Sequence, residues 1–183
     1  NVHCAGGFAM MKAAKDAGCL VSYDLNYRKK LWSPAEAKGC QEPLMKRVDI
    51  LTTTEEDIGV VFGIREDTYQ KVAESLAKAF GFKAVAITLR EDISVWKNNW
   101  TAIAYADGKI YSDRTYTVEI VDRVGAGDSF TAGFIYGYLT GDAQKGVKYG
   151  NALAALKHTM PGDFNWSTLE AVEAQIKGAG LRI

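Results

Sequence analysis

Val118-Glu119-Ile120-Val121-Asp122-Arg123-Val124-Gly125-Ala126-Gly127-Asp128-Ser129-Phe130 decides how the rest of this chain is read. Alternating apolar residues up to Val121 predict a strand, Gly-Ala-Gly predicts a turn, and Asp128 to Leu139 predicts a helix. Two glycines permit backbone angles and close approaches that side chains would block. The first N–H groups of a helix have no partner inside it and carry the positive end of its dipole, so such a turn suits an anion, commonly phosphate. Asp128 would hold a carboxylate beside that anion. It would repel a resting phosphate, so its presence points to work, and taking a proton from an attacking hydroxyl is the obvious task. The residues leave one alternative open, a glycine-rich turn in which Asp128 only caps the helix. Neither a Gly-x-x-x-x-Gly-Lys-Ser/Thr loop nor a Gly-x-Gly-x-x-Gly fingerprint is present.

Outward from this stretch, strands and helices alternate. Helices are expected over Ala5 to Ala17, Pro34 to Lys46 with Ser33 as N-cap, Asp67 to Phe80, Asp142 to His158 and Ser167 to Lys177, with an acidic helix start at Glu55-Glu56-Asp57. Leu20 to Asp24, Asp49 to Thr52 and Ala84 to Leu89 read as strands. From Ile93 to Val121 the apolar period becomes two, with turns expected at Asn98-Asn99 and Asp107-Gly108. This alternation predicts an α/β fold with a mostly parallel sheet and antiparallel hairpins added late. No repeat or linker interrupts residues 1–183, which are expected to form a single domain. The first element is a helix with no strand before it, so the chain reads as beginning inside a larger fold.

The 22 basic and 22 acidic residues cancel, and no basic run exists, which argues against nucleic acid or an anionic membrane as partner. Apolar runs such as Ala84 to Leu89 are far short of the roughly 20 residues of a membrane helix, and no signal segment opens the chain. A cytoplasmic location is expected. Cys4, Cys19 and Cys40 show no Cys-x-x-Cys spacing and are expected to be reduced, while His3 and His158 assemble no metal cluster.

Asp122-x-x-Gly125-Ala126-Gly127-Asp128-x-Phe130-x-Ala132-Gly133-Phe134 resembles the C-terminal signature of the ribokinase-like (PfkB) carbohydrate kinases. Asp24-Leu25-Asn26-Tyr27-Arg28-Lys29-Lys30-Leu31-Trp32, Arg123, and Lys157-His158-Thr159-Met160-Pro161-Gly162-Asp163-Phe164 make it similar, within that family, to 2-keto-3-deoxygluconate kinases. The resemblance implies a three-layer α/β/α fold and ATP-dependent phosphorylation of a sugar acid, with 2-keto-3-deoxygluconate going to its 6-phosphate. A neutral sugar of the fructose or ribose type, or a nucleotide-binding module without turnover, are the alternatives. Mg2+ and a monovalent cation are implied as well.

By the same resemblance Asp128 is the base and contacts substrate, and the amides of Gly125, Ala126 and Gly127 form an anion hole for the nucleotide phosphates. Asp122 orders the loop near the monovalent cation. Arg28 is matched to the residue that grips the sugar-acid carboxylate, a task a guanidinium performs bidentately; a solvated Arg beside Lys29 and Lys30 is the alternative. Asn26, Thr88, Arg90 and Asn151 are matched to the nucleotide side, although a turn-forming Asn26, a solvent-facing Arg90 and simple helix packing around Asn151 explain the same residues. The magnesium-organising Asn-x-x-Glu element falls at Thr54-Glu55-Glu56-Asp57, so Asp57 or Glu56 would hold Mg2+ through water. The family's upstream strands, Gly-Gly sugar turn and lid find no match; Gly6-Gly7 falls inside the first predicted helix. An open sheet edge, and through it a homo-oligomer, is therefore expected.

Overall fold

Ser33 caps the helix that starts at Pro34: its hydroxyl accepts the Glu36 N–H, and the Glu36 carboxylate accepts the Ser33 N–H at 2.8 Å. The computed structural model describes residues 2–178. In chain order it contains α1 (Val2–Asp16), β1 (Ser22–Asp24), α2 (Pro34–Met45), β2 (Ile50–Thr54), α3 (Glu55–Val61), α4 (Tyr69–Phe80), β3 (Ala84–Ser94), β4 (Lys97–Ala106), β5 (Lys109–Ser112), β6 (Tyr116–Glu119), α5 (Ala126–Thr140), α6 (Ala143–His158) and α7 (Leu169–Lys177). The strands hydrogen-bond in the order β1-β2-β3-β4-β5, with β6 on β4. β1 and β2 are parallel, and β4 and β6 are antiparallel. The result is the expected α/β architecture, a mixed sheet with flanking helices. Two compact units can be distinguished, one running to Ile87 and including Tyr105–Lys109, the other made of Thr88–Ala104 and the chain from Ile110 onward.

In the first unit, Leu25, Ile50, Leu51, Ile58 and Ile87 are buried, as is the apolar face of α4 (Val72, Ala73, Leu76, Ala77). The helix stops at Gly81, whose φ of 78° closes its C-terminal turn. Asp49, 5% exposed, ties three segments together. Its oxygens lie 2.7 and 2.8 Å from Lys15 Nζ, 2.9 Å from the Val21 N–H and 3.3 Å from Lys83 Nζ. In the second unit, Tyr116 and Val118 of β6 pack with Ala152, Ala155 and Leu156 of α6 and Val172 of α7.

Three expectations need correction. Cys4 and Cys40 are not both reduced thiols but a disulfide joining α1 to α2, with Cα atoms 5.5 Å apart; Cys19 is free and exposed. Nothing in the Cys spacing announces the pair, because packing of the two helices brings the residues together. The turn expected at Asn98-Asn99 lies instead at Val95-Trp96, between β3 and β4. Asn98 and Asn99 are inside β4, opposite Val118 and Thr117, so strand pairing overrides their local turn preference. For the same reason the expected strand at Ala84 to Leu89 continues to Ser94. The side chain of His3 lies outside the described residues.

Candidate active site

β6 carries the chain to Val121 and Asp122, whose N–H groups donate to the carbonyl of His158 at the end of α6, at 2.8 and 3.2 Å. His158 is buried, and its Nδ1 lies 2.7 Å from the Ala154 carbonyl, which sets that nitrogen as the donor. Burial pushes its pKa down, so the ring is neutral and structural. Asp122 then spans two loops. One carboxylate oxygen accepts the Val124 N–H at 2.9 Å and the other accepts the Gly162 N–H at 3.0 Å. These bonds, the Val124 one foremost, and the nearby Lys157 hold its carboxyl below the usual range.

Gly125 is the N-cap of α5, with φ of 83°. A Cβ there would overlap the carbonyl oxygen of Asp163, so both angle and space demand glycine. The Ala126 N–H turns back to the Arg123 carbonyl at 3.3 Å. Gly127 and Asp128 occupy the next helical positions, whose N–H groups lack partners within the helix. Nothing lies within 4 Å of the point where a Gly127 Cβ would sit, and Asp128 is exposed. Free amides, open space and an exposed carboxylate therefore meet at one helix end.

Other second-unit residues stand as follows. Asn151 is fully buried on α6, and neither of its side-chain polar atoms has a protein partner. Thr88 is partly buried on β3. Arg90 is exposed and lies 3.4 Å from Asp92, which is also 3.4 Å from Arg123; Arg123 further donates to the Val95 carbonyl at 3.1 Å. Arg123 thus docks the signature turn on the β3–β4 connection.

The remaining candidates belong to the first unit. Asn26 and Arg28 are exposed beyond β1, and Arg28 donates to the Tyr27 carbonyl at 3.2 Å. Thr54 caps α3 by accepting the Asp57 N–H at 3.2 Å. Asp57 is half-buried, and burial raises its pKa, although Thr54 and the positive charge of Arg28 work in the other direction. Glu56 is exposed. Among the described residues no group of three or more His, Cys, Asp or Glu could hold a metal.

Sequence reasoning missed the support beneath the turn. Lys157 is fully buried and donates to the Met160 carbonyl at 3.1 Å. Asn165 bonds Ser129 Oγ at 3.1 Å and the Leu153 carbonyl at 2.9 Å, joining α5 to α6. The available signal was a lysine at the end of an Ala- and Leu-rich helical face, where periodicity asks for a core residue.

A 2-dehydro-3-deoxygluconokinase structure from Thermotoga maritima superposes with a TM-score of 0.89 at 43% identity, over 92% of this chain and 53% of that one. A 2-dehydro-3-deoxygalactonokinase from Haloferax volcanii is 35% identical over 95% of this chain and 52% of its own length. A provisionally assigned ribokinase II from E. coli, solved with ATP and Mg2+, superposes with a TM-score of 0.74 at 25% identity, over 92% of this chain and 52% of that one. The chain spans about half the length of these relatives. No helix among the described residues is long and apolar enough to cross a membrane. Residues 1–168 match the profile described as pfkB family carbohydrate kinase, and the chain belongs to that family.

Proposed function

We propose that this chain carries the phosphoryl-transfer residues of an ATP-dependent kinase for a sugar acid of the 2-keto-3-deoxygluconate type, and that residues 1–183 act as one catalytic domain. The observation that carries the reading is the start of α5, where unpartnered amides and open space at Gly127 adjoin the exposed Asp128 carboxylate. Asp128 takes the proton from the sugar's terminal hydroxyl. That oxygen attacks the γ-phosphorus in line, the bond to the β–γ bridging oxygen breaks, and ADP leaves. The amides at Gly125 and Gly127 face the charge that builds on the phosphoryl oxygens. Asp122 orders the loop.

Arg28 grips the substrate carboxylate, which a neutral sugar lacks. Asn151, with a buried amide that has no protein partner, suits the nucleotide base; Asn26, Thr88 and Arg90 are assigned to the nucleotide side. Bound Mg2+ would neutralise phosphate charge. A hydrated Mg2+ fits the acidic start of α3, because this ion keeps several waters and needs only one or two carboxylates. Glu56, exposed where Asp57 is half-buried, is the more available of the two.

The test is ADP release by the purified chain against a panel of sugar acids and neutral sugars, beside calorimetric ATP binding. Asp128→Asn should lower turnover by about 10²–10⁴-fold while ATP still binds. Arg28→Ala should raise KM for the sugar acid far more than for fructose or ribose. An Asn variant with full turnover would remove Asp128 as the base. ATP binding without ADP release from any sugar would leave a nucleotide-binding module instead.

A further inference from the structure

Lys157 sits in the last turn of α6 with its side chain wholly inside the second unit. An ammonium taken out of water is costly unless it is well partnered. Its oxygen partners are two neutral backbone carbonyls, one from each of two loops: Met160 at 3.1 Å, after α6, and Asp122 at 3.5 Å, before α5. Its Cε lies 3.4 Å from the point where a Gly125 Cβ would be, directly against the N-cap of α5. The Asp122 carboxylate binds one N–H from each of the same loops, Val124 and Gly162, and feels the Lys157 charge. One positive charge thus stands where two loops converge, with carbonyl oxygens turned toward it.

Carbonyl oxygens from separate loops around a single charge are the partners an alkali cation takes. The implied monovalent cation near Asp122 does not fit beside this arrangement, because the protein's own ammonium already occupies the convergence. We propose that Lys157 is a tethered cation. It is a positioning residue that clamps the Gly125–Asp128 turn to the loop after α6 and places positive charge beneath the phosphate site. Phosphate binding therefore needs no exchangeable alkali ion. The proposal rests on the reading of the turn as a phosphate site.

The test is calorimetry with Mg-ATP in potassium, sodium and tetramethylammonium chloride at matched ionic strength. The unmodified chain should bind equally in all three. Lys157→Ala should weaken binding about tenfold or more in tetramethylammonium, the scale of losing hydrogen bonds from a charged donor. Potassium or ethylammonium should restore part of it by filling the vacated space, which a purely structural role would not allow. Potassium-dependent binding by the unmodified chain would overturn the tethered cation, as would full affinity in Lys157→Ala without added cation. Should Lys157→Ala fail to fold, the salt series on the unmodified chain and a Lys157→Met variant, judged by the same loss, still decide. No ATP binding by the unmodified chain in any salt would instead remove the phosphate reading itself.

Discussion

Gly125 and Gly127 stand two positions apart and are glycine for different reasons. Gly125 needs a positive φ and lies against the Asp163 carbonyl, so a methyl group there meets backbone that cannot move aside cheaply. Gly127 has no positive φ and no neighbour within 4 Å of a Cβ position. Gly125→Ala should therefore cost about 1–3 kcal/mol, read as a lower urea midpoint. Gly127→Ala should hold or raise stability by up to about 1 kcal/mol, since alanine is the better helix former, yet weaken ATP binding by intruding where phosphate approaches. An alanine at 127 that binds ATP as well as the native chain would show that phosphate does not come close there. The pattern Gly-Ala-Gly reveals a turn but assigns both glycines the same purpose. The left-handed backbone of Gly125 and the position of Asp163 separate them.

At the scale of elements, α5 and α6 meet along glycines. A Cβ on Gly133 would fall 2.9 Å from the Gly150 Cα, and one on Gly137 would fall 2.7 Å from the Gly146 Cα. Cβ atoms at Gly146 and Gly150 would in turn strike the Phe134 and Phe130 rings. The pair positions Asp128 on one helix with Asn151 and Lys157 on the other, so prising it apart should loosen the site as well as the fold. Gly137→Ala is expected to destabilise by about 1–3 kcal/mol through overpacking, measured by urea unfolding. Gly6→Ala in α1, where nothing lies within 4 Å, serves as the control and should be neutral or slightly stabilising. Unchanged stability in Gly137→Ala would mean the helices do not pack this closely. Helices α5 and α6 themselves were legible in the sequence, since caps and glycines mark their ends. The β3–β4 turn was not, because Asn98 and Asn99 carry a turn preference that pairing with β6 defeats.

At the scale of the whole molecule, acid stability reports on Asp49 in the first unit. Its burial alone would raise the pKa, but Lys15, the Val21 N–H and Lys83 outweigh that and hold the carboxyl below its usual value. A carboxylate depressed in the folded state stabilises above its unfolded pKa of about 3.9, and that share is lost as pH falls through the lower folded value. Urea midpoints from pH 7 down to pH 2 should therefore fall less steeply for Asp49→Asn than for the native chain. Equal slopes would show that Asp49 is not a main acid-labile tie. The sequence by itself determined the α/β alternation, the Gly-Ala-Gly turn and the placing of Asp128 on its helix, because caps, glycines and apolar period act over a few residues. Tertiary structure decided the Cys4–Cys40 bond, across 36 residues, and the approach of Lys157 to Asp122, across 35. No local preference brings such residues together. Their meeting depends on how helices and loops pack once the core has formed, and so the turn was readable at once while the charge beneath it was not.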